Sequence, residues 1–538
     1  KGDEISGPDS SLAELPACPS RRARPRRAHT ARMADAEAAR AQLHLPFYLY
    51  EGAAFDDGSW FAPCSRGLRG ESYAEDQYSA ELHFLRQLQA HRWRTRDPGA
   101  AALFVVPLYA NAALQPSMRG LSCNGTHFQL LLDGSARAVA RTPQYARHGG
   151  ADHLLLCASW RFASKAPHQA PWAAVQHSSE TFRFIFRNAI VGHMESRHAS
   201  DGGFWRCSVI VPYTANFDAS SAAHLLPPSS AARDVSFFFH GGANSRGTYG
   251  YAFRQAVLAQ LDGLPAARLG AYSLPGQPLP CTASRATNCR APRSSGRFRA
   301  LMRRARFSLV LRGDSPSSRR LYDGLAAGAL TVLVSDAAWL VALPFQCLVP
   351  WRALAFSVAE AAFAAPRGAA AALRRLAALP AASLDRVHRA ATAYRRDLLW
   401  EANGSRVAEN VLLTAALRCL PRHAAGGAAA AAAAALCAHA DVSVACRQPD
   451  AERCAGCETG EAAAAAPLEF CCGGSCPRCN ASDRCVPPAV GRGSPLLHAE
   501  ERHAALERYL AAKERDLPPA LQRWRKAAGR PAAAAAAA

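Results

Sequence analysis

The chain has 538 residues, 49% of them hydrophobic, which is enough for two core-bearing domains with extensions. Its net charge is +21, carried by 59 Arg and only 4 Lys, so a basic surface suited to acidic donors or uronate- and sulfate-bearing glycans is expected. No apolar run reaches membrane-spanning length, and neither paired RNP-type aromatics nor a C₂H₂ spacing appears, which excludes an evident nucleic-acid module.

Residues 1–43 are rich in Pro, Ser and Ala, with a basic cluster at Arg21–Arg27, and read as a solvated stem or linker. The first α/β domain is placed at 44–229. Within it Leu45–Tyr50 is a strand, Tyr73–His91 has helical apolar spacing, and Leu103–Leu108 is the strand that follows. His153, preceded by Asp152, opens the apolar strand Leu154–Leu156, and Phe182–Ile190 is a further buried segment.

A second α/β domain is placed at 230–420. It opens with strand Val235–Phe239, then a loop, His240–Arg246, and helix Tyr251–Leu261. The stretch from Phe307 to Asp336 is the most informative. An apolar run, Phe307–Leu311, meets a Gly/Ser/Pro loop, Arg312–Ser318; a short helix, Arg319–Ala327, follows and Gly328 ends it before the apolar run Leu330–Val334. This is a strand–loop–helix–strand unit of a parallel sheet. Arg319 and Arg320 stand in the first helical turn, where the macrodipole disfavours cations. An anion docked there removes the conflict, and Asp323, one turn on, can receive the hydroxyls of a ribose. The alternative is an i,i+4 surface ion pair between Arg319 and Asp323. Helices around Ala369–Leu379 and Leu384–Leu420 close the domain.

Beyond it, 421–490 holds alanine tracts and nine cysteines between Cys437 and Cys485. Cys454, Cys457, Cys476 and Cys479 have a spacing compatible with a zinc ribbon, but an oxidising compartment favours a disulfide-stapled module. Residues 491–538 read as a charged helical tail and an alanine run. Eighteen cysteines and three sequons, at Asn124, Asn403 and Asn480, point to the secretory pathway.

Phe307, Leu309, Gly313, Asp314, Ser318, Arg320, Leu321, Asp323, Gly328 and Val332 match a segment of the exostosin-type glycosyltransferases, glycosyltransferase family 47. Other segments resemble that family in the same order. These are Arg94–Pro98 with Ala101–Tyr109, Gly150–His153, Val209–Pro212, Phe237–Gly241 with Arg246, and Leu343–Phe345 with Trp351 and Phe356–Val358.

The resemblance implies two Rossmann-like domains facing a cleft, the GT-B fold, and an inverting, metal-independent transfer from a nucleotide-sugar, UDP-linked, to a glycan or glycoprotein acceptor. No cofactor or metal is expected. Arg320, Ser318 and the Gly313 backbone are assigned to the diphosphate, with Arg246 and Gly241 from the loop after strand Val235–Phe239; Arg246 can equally be a surface residue. Asp323 is assigned to the ribose. His153 is the candidate base, with Asp152 orienting it or serving as base itself, and Arg147 is a candidate for orienting donor or acceptor. The alternatives are a histidine bonded to nearby backbone and an ordinary surface arginine. Relatives are usually type II membrane proteins, so a Golgi-lumenal setting with an anchor absent from this chain is implied, and homo- or hetero-dimerisation is open. Ser308, Leu311, Ala329 and Thr331 depart from the family pattern, and no acid stands beside Trp160. The rival reading is an inactive glycan-binding or scaffolding protein on the same fold.

Overall fold

The computed structural model describes residues 40, 43–52, 55, 77–109, 134–157, 185–195, 207–241, 249–262 and 295–420, apart from 187, 218, 221–224, 314, 337 and 347. Arg246, the Cys437–Cys485 module and the tail 491–538 lie outside the described residues.

Two wholly parallel sheets carry the fold. The first comprises β1 (Phe47–Leu49), β2 (Arg94–Thr95), β3 (Leu103–Val105), β4 (His153–Leu156), β5 (Ile190–His193) and β6 (Cys207–Ile210), in the order β2-β1-β3-β4-β5-β6. The second comprises β7 (Val235–Phe238), β8 (Ala305–Leu311), β9 (Leu330–Val334) and β10 (Ala355–Ser357), in the order β10-β9-β8-β7. β4 and β9 are buried along their whole length, as parallel strands covered on both faces must be, and this is why they read as continuous apolar runs. Both sheets are therefore α/β in the GT-B manner.

Helices α1 (Ala80–Gln89) and α2 (Pro143–His148) belong to the first sheet. Around the second lie α3 (Tyr249–Asp262), α4 (Ser295–Arg304), α5 (Arg319–Ala327), α6 (Glu360–Ala364), α7 (Gly368–Ala377), α8 (Ala381–Ala393) and α9 (Arg395–Leu398). The helix α5 has the bounds the sequence pattern indicates, because Ser318 is its N-cap and Gly328, at φ 70°, supplies the left-handed C-cap. Two buried arginines close its carboxyl end: Arg233 donates to Ala327 O at 3.1 Å and Arg395 to Ala326 O at 3.1 Å.

The last helix, α10 (Val407–Arg418), packs against α1 and β6 of the first sheet rather than the second. A disulfide from Cys207 at the start of β6 to Cys419 just past α10 ties it there, across a sequence separation of 212. The expected helix Leu384–Leu420 is thus three helices, α8, α9 and α10, with a turn at 399–406 that carries the chain back to the first domain.

Candidate active site

The carboxyl ends of the two sheets meet. Past β5, the Glu195 carboxylate accepts the Ser317 amide at 3.0 Å and also the Ser317 hydroxyl. Past β6, the Tyr213 hydroxyl shares a 2.8 Å hydrogen bond with the Ser317 hydroxyl. Ser317 stands in the loop between β8 and α5, so the first sheet touches the second where open α/β sheets bind ligands.

On the second-domain side two arginines converge. Arg320, in the first turn of α5, donates from Nε to His240 O and from Nη1 to Ser318 Oγ at 3.2 Å. Arg254, from α3, donates to Leu311 O at 2.9 Å. Both guanidiniums lie against the Phe239 ring, at 5.2 Å for Arg320 and 5.5 Å for Arg254. A Cβ on Gly241 would come within 2.3 Å of Arg320 Nη2, and one on Gly313 within 2.7 Å of Arg254 Nη2. Only glycine admits the arginine heads this close to the two loops. Two like charges gathered at one aromatic ring, beside a helix N-terminus, make a site whose electrostatics call for an anion. Burial, helped by the Arg320 charge, pushes the His240 imidazole down to about 4, so it stands neutral beside that anion site.

Ser318, Gly313, Gly241 and Arg320 are brought together here, and Arg254 joins them. Arg254 lies in the second turn of its helix with no motif around it, so nothing local in the sequence marks it.

Asp323 sits one turn into α5, buried, and faces the segment that leaves β6. Its Oδ1 accepts the Asn216 amide at 2.6 Å and lies 3.8 Å from Arg319 Nε. The neighbouring Ala215 amide donates to Glu401 at 2.8 Å, and Trp400 Nε1 donates to Pro212 O at 2.9 Å. Two carboxyl side chains thus hold consecutive amides of the interdomain linker. Burial raises the Asp323 carboxyl and pushes that of Glu401 up to about 8. The Arg319–Asp323 pair exists, but it is a buried linker contact and not a surface one. With Oδ1 engaged, Asp323 can reach a ribose only through its other oxygen.

Asp152, His153 and Arg147 form a separate cluster. His153 opens β4, so it lies at the amino edge of the first sheet, opposite the edge that meets the second domain. Its ring is fully buried and both nitrogens are engaged: Nδ1 with Asp152 Oδ1 at 2.9 Å, Nε2 with the Tyr50 hydroxyl at 2.9 Å. The ring stacks on Phe104 at 5.2 Å. Arg147 donates to Asp152 Oδ2 at 3.0 Å and lies over the Phe104 ring at 5.2 Å. Burial depresses the His153 imidazole despite its acidic neighbour. Burial also works to raise the Asp152 carboxyl, but the contacts from His153 and Arg147 outweigh it and hold it below its usual value. The cluster holds the strand entry and is remote from the anion loop. His153 and Asp152 were expected to face the cleft; the contacts described instead set both in the packing at the strand entry, with Arg147 beside them. A histidine before an apolar run reads the same in sequence at either end of a strand.

The family model of the Exostosin GT47 domain matches residues 40–373, more than half of the chain. The chain belongs to the exostosin GT47 family. It is also 24% identical over 323 residues to a protein of Arabidopsis thaliana described as a "Probable glucuronoxylan glucuronosyltransferase", a match covering 59% of this chain and 61% of that relative. The chain therefore spans less than two thirds of that relative's length. The matched span covers both sheets and the residues of the anion site. Among the described residues, no helix is long and apolar enough to cross a membrane.

Proposed function

We propose that this exostosin-family chain transfers a sugar from a UDP-linked donor to a glycan or glycoprotein acceptor, with inversion and without a metal. The observation that carries the reading is the paired placement of Arg320 and Arg254 against Phe239, beside the two glycines and the α5 N-terminus. Glycosyl transfer requires the departing diphosphate to be stabilised as charge develops on it. Two fixed guanidiniums and backbone amides supply that stabilisation, a task that elsewhere falls to a divalent cation. Ser318 and the Gly313 and Gly241 backbones complete the cradle, Asp323 Oδ2 takes the ribose, and Arg246 adds a third cation. Inversion follows from a single displacement, in which the acceptor oxygen attacks the anomeric carbon opposite the leaving phosphate.

A lumenal, Golgi-type setting with an upstream anchor is part of the proposal. The Cys207–Cys419 disulfide and the exposed Asn403 sequon support it. The relative's glucuronosyltransferase name and the excess of arginine favour an acidic sugar donor. The test is ligand-induced stabilisation. UDP at a hundred times its Kd should add about 2.7 kcal/mol of stability, seen as a raised Tm, while phosphate alone should not. UDP release from a panel of UDP-sugars then identifies the donor. No stabilisation by UDP, with no donor turned over, refutes the enzyme and leaves the scaffold reading.

A further inference from the structure

Glu195 is a first-domain carboxylate seated on the donor loop of the second domain. It follows β5 by two residues, at the carboxyl edge of the first sheet, and is 2% exposed. Its partner Ser317 immediately precedes Ser318, the N-cap of α5. The carboxylate therefore occupies an amide and a hydroxyl at the very helix entry that the proposed function gives to the diphosphate, and it is itself an anion. Other described carboxylates of the first domain lie elsewhere. Glu51 pairs with Arg94 in solvent, Asp97 caps the Gly99 amide, Glu81 lies within α1, and Asp152 is at the far edge of the sheet.

Resting on the function proposed above, we propose that Glu195 is the general base of the transfer. A donor diphosphate brought to the α5 N-terminus takes over the Ser317 amide and hydroxyl. Glu195 is then released on the first-domain side of the sugar, opposite the second domain that holds the leaving group. The acceptor hydroxyl gives its proton to the Glu195 carboxylate as its oxygen bonds to the anomeric carbon. The bond from that carbon to the phosphate oxygen breaks, and its electron pair leaves with UDP. The proton on Glu195 passes to solvent when product departs. The ground-state contact with Ser317 makes the carboxylate available only when a donor is present.

The experiment follows UDP release from UDP-glucuronate, UDP-glucose, UDP-galactose, UDP-xylose and UDP-N-acetylglucosamine, with water as acceptor. UDP affinity is measured in parallel by calorimetry. Glu195→Gln keeps an oxygen for the Ser317 amide, so UDP binding should stay within about twofold while turnover falls about 10²- to 10⁴-fold. In Glu195→Ala, sodium formate should restore part of the rate, a response that a purely structural carboxylate would not give. Near-wild-type turnover in Glu195→Gln overturns the proposal. So does a loss that tracks UDP affinity without formate rescue, which would make Glu195 an interdomain latch. A wild-type chain that neither binds UDP nor consumes any donor overturns the proposed function and this inference together, whereas an active wild type with an equally active Glu195→Gln removes the base alone.

Discussion

Gly241→Ala is the sharpest probe of the anion site, because the added methyl keeps the Gly241 backbone and acts on the Arg320 head. The added Cβ would stand 2.3 Å from Arg320 Nη2, 2.6 Å from Cζ and 2.9 Å from Nε, so the whole guanidinium must retreat by about 1 Å to reach ordinary contact. That shift breaks the Nε bond to His240 O and lifts the head off Phe239. A hydrogen bond to a charged group contributes about 1.5–3 kcal/mol. Arg320→Ala should therefore weaken UDP binding about 10- to 150-fold. Gly241→Ala, which displaces the head rather than deleting it, should reach the lower end, about tenfold. The decisive measurement is the double mutant by titration calorimetry. With Arg320 already alanine there is nothing for the new Cβ to displace, so adding Gly241→Ala should change UDP affinity by less than about twofold. Additive losses would show that Gly241 acts on the ligand by another route, and unchanged affinity in folded Arg320→Ala would remove that arginine from the site.

Other outcomes follow from the same contacts. His153→Ala takes one hydrogen-bond partner each from buried Asp152 and Tyr50, so it should cost about 1–3 kcal/mol of stability by chemical denaturation yet leave UDP affinity intact; a selective loss of turnover would restore His153 to catalysis. Glu401, raised to about 8 in the fold from an ordinary 4.5, binds its proton more tightly folded than unfolded. Its contribution is present below pH 4.5 and lost as pH rises through about 8, so wild type should lose stability relative to Glu401→Gln over that window; a pH-independent difference in Tm refutes this. Reducing the Cys207–Cys419 bridge, or Cys419→Ser, should cost about 2–5 kcal/mol, since the bond closes a separation of 212 residues; an unchanged Tm under reductant would deny it. Asn403 is exposed in a turn, so protein from a secretory host should carry a glycan there, lost on Asn403→Gln by mass spectrometry; an unmodified Asn403 counts against a lumenal setting.

What the sequence alone determined is local. In the unit β8–α5–β9 the helix and the second strand were legible to the residue and the first strand to within two, because every signal lies within thirty residues: an apolar run, a Gly/Ser/Pro loop, a short amphipathic stretch, a Gly in left-handed backbone and a second apolar run. The conflict between Arg320 and the helix dipole likewise needed nothing beyond its own turn. In the first domain β1, β3 and β4 could be found from their apolar runs, but not β2 or β5, nor which edge faces the partner domain. That order, β2-β1-β3-β4-β5-β6, depends on crossovers through long intervening segments. His153 shows the limit. Its chemistry suits a base, and only the direction of β4 within the sheet puts it at the wrong edge, under Phe104 and bonded on both nitrogens. Arg254, Glu401 and Glu195 carry no motif, and their partners stand 57, 186 and 122 residues away in the chain. A hydrogen bond over that separation is set by how the two sheets dock, and helix, strand and turn propensities carry no information about docking. Only the tertiary structure could bring a carboxylate from the first sheet to the loop that opens α5.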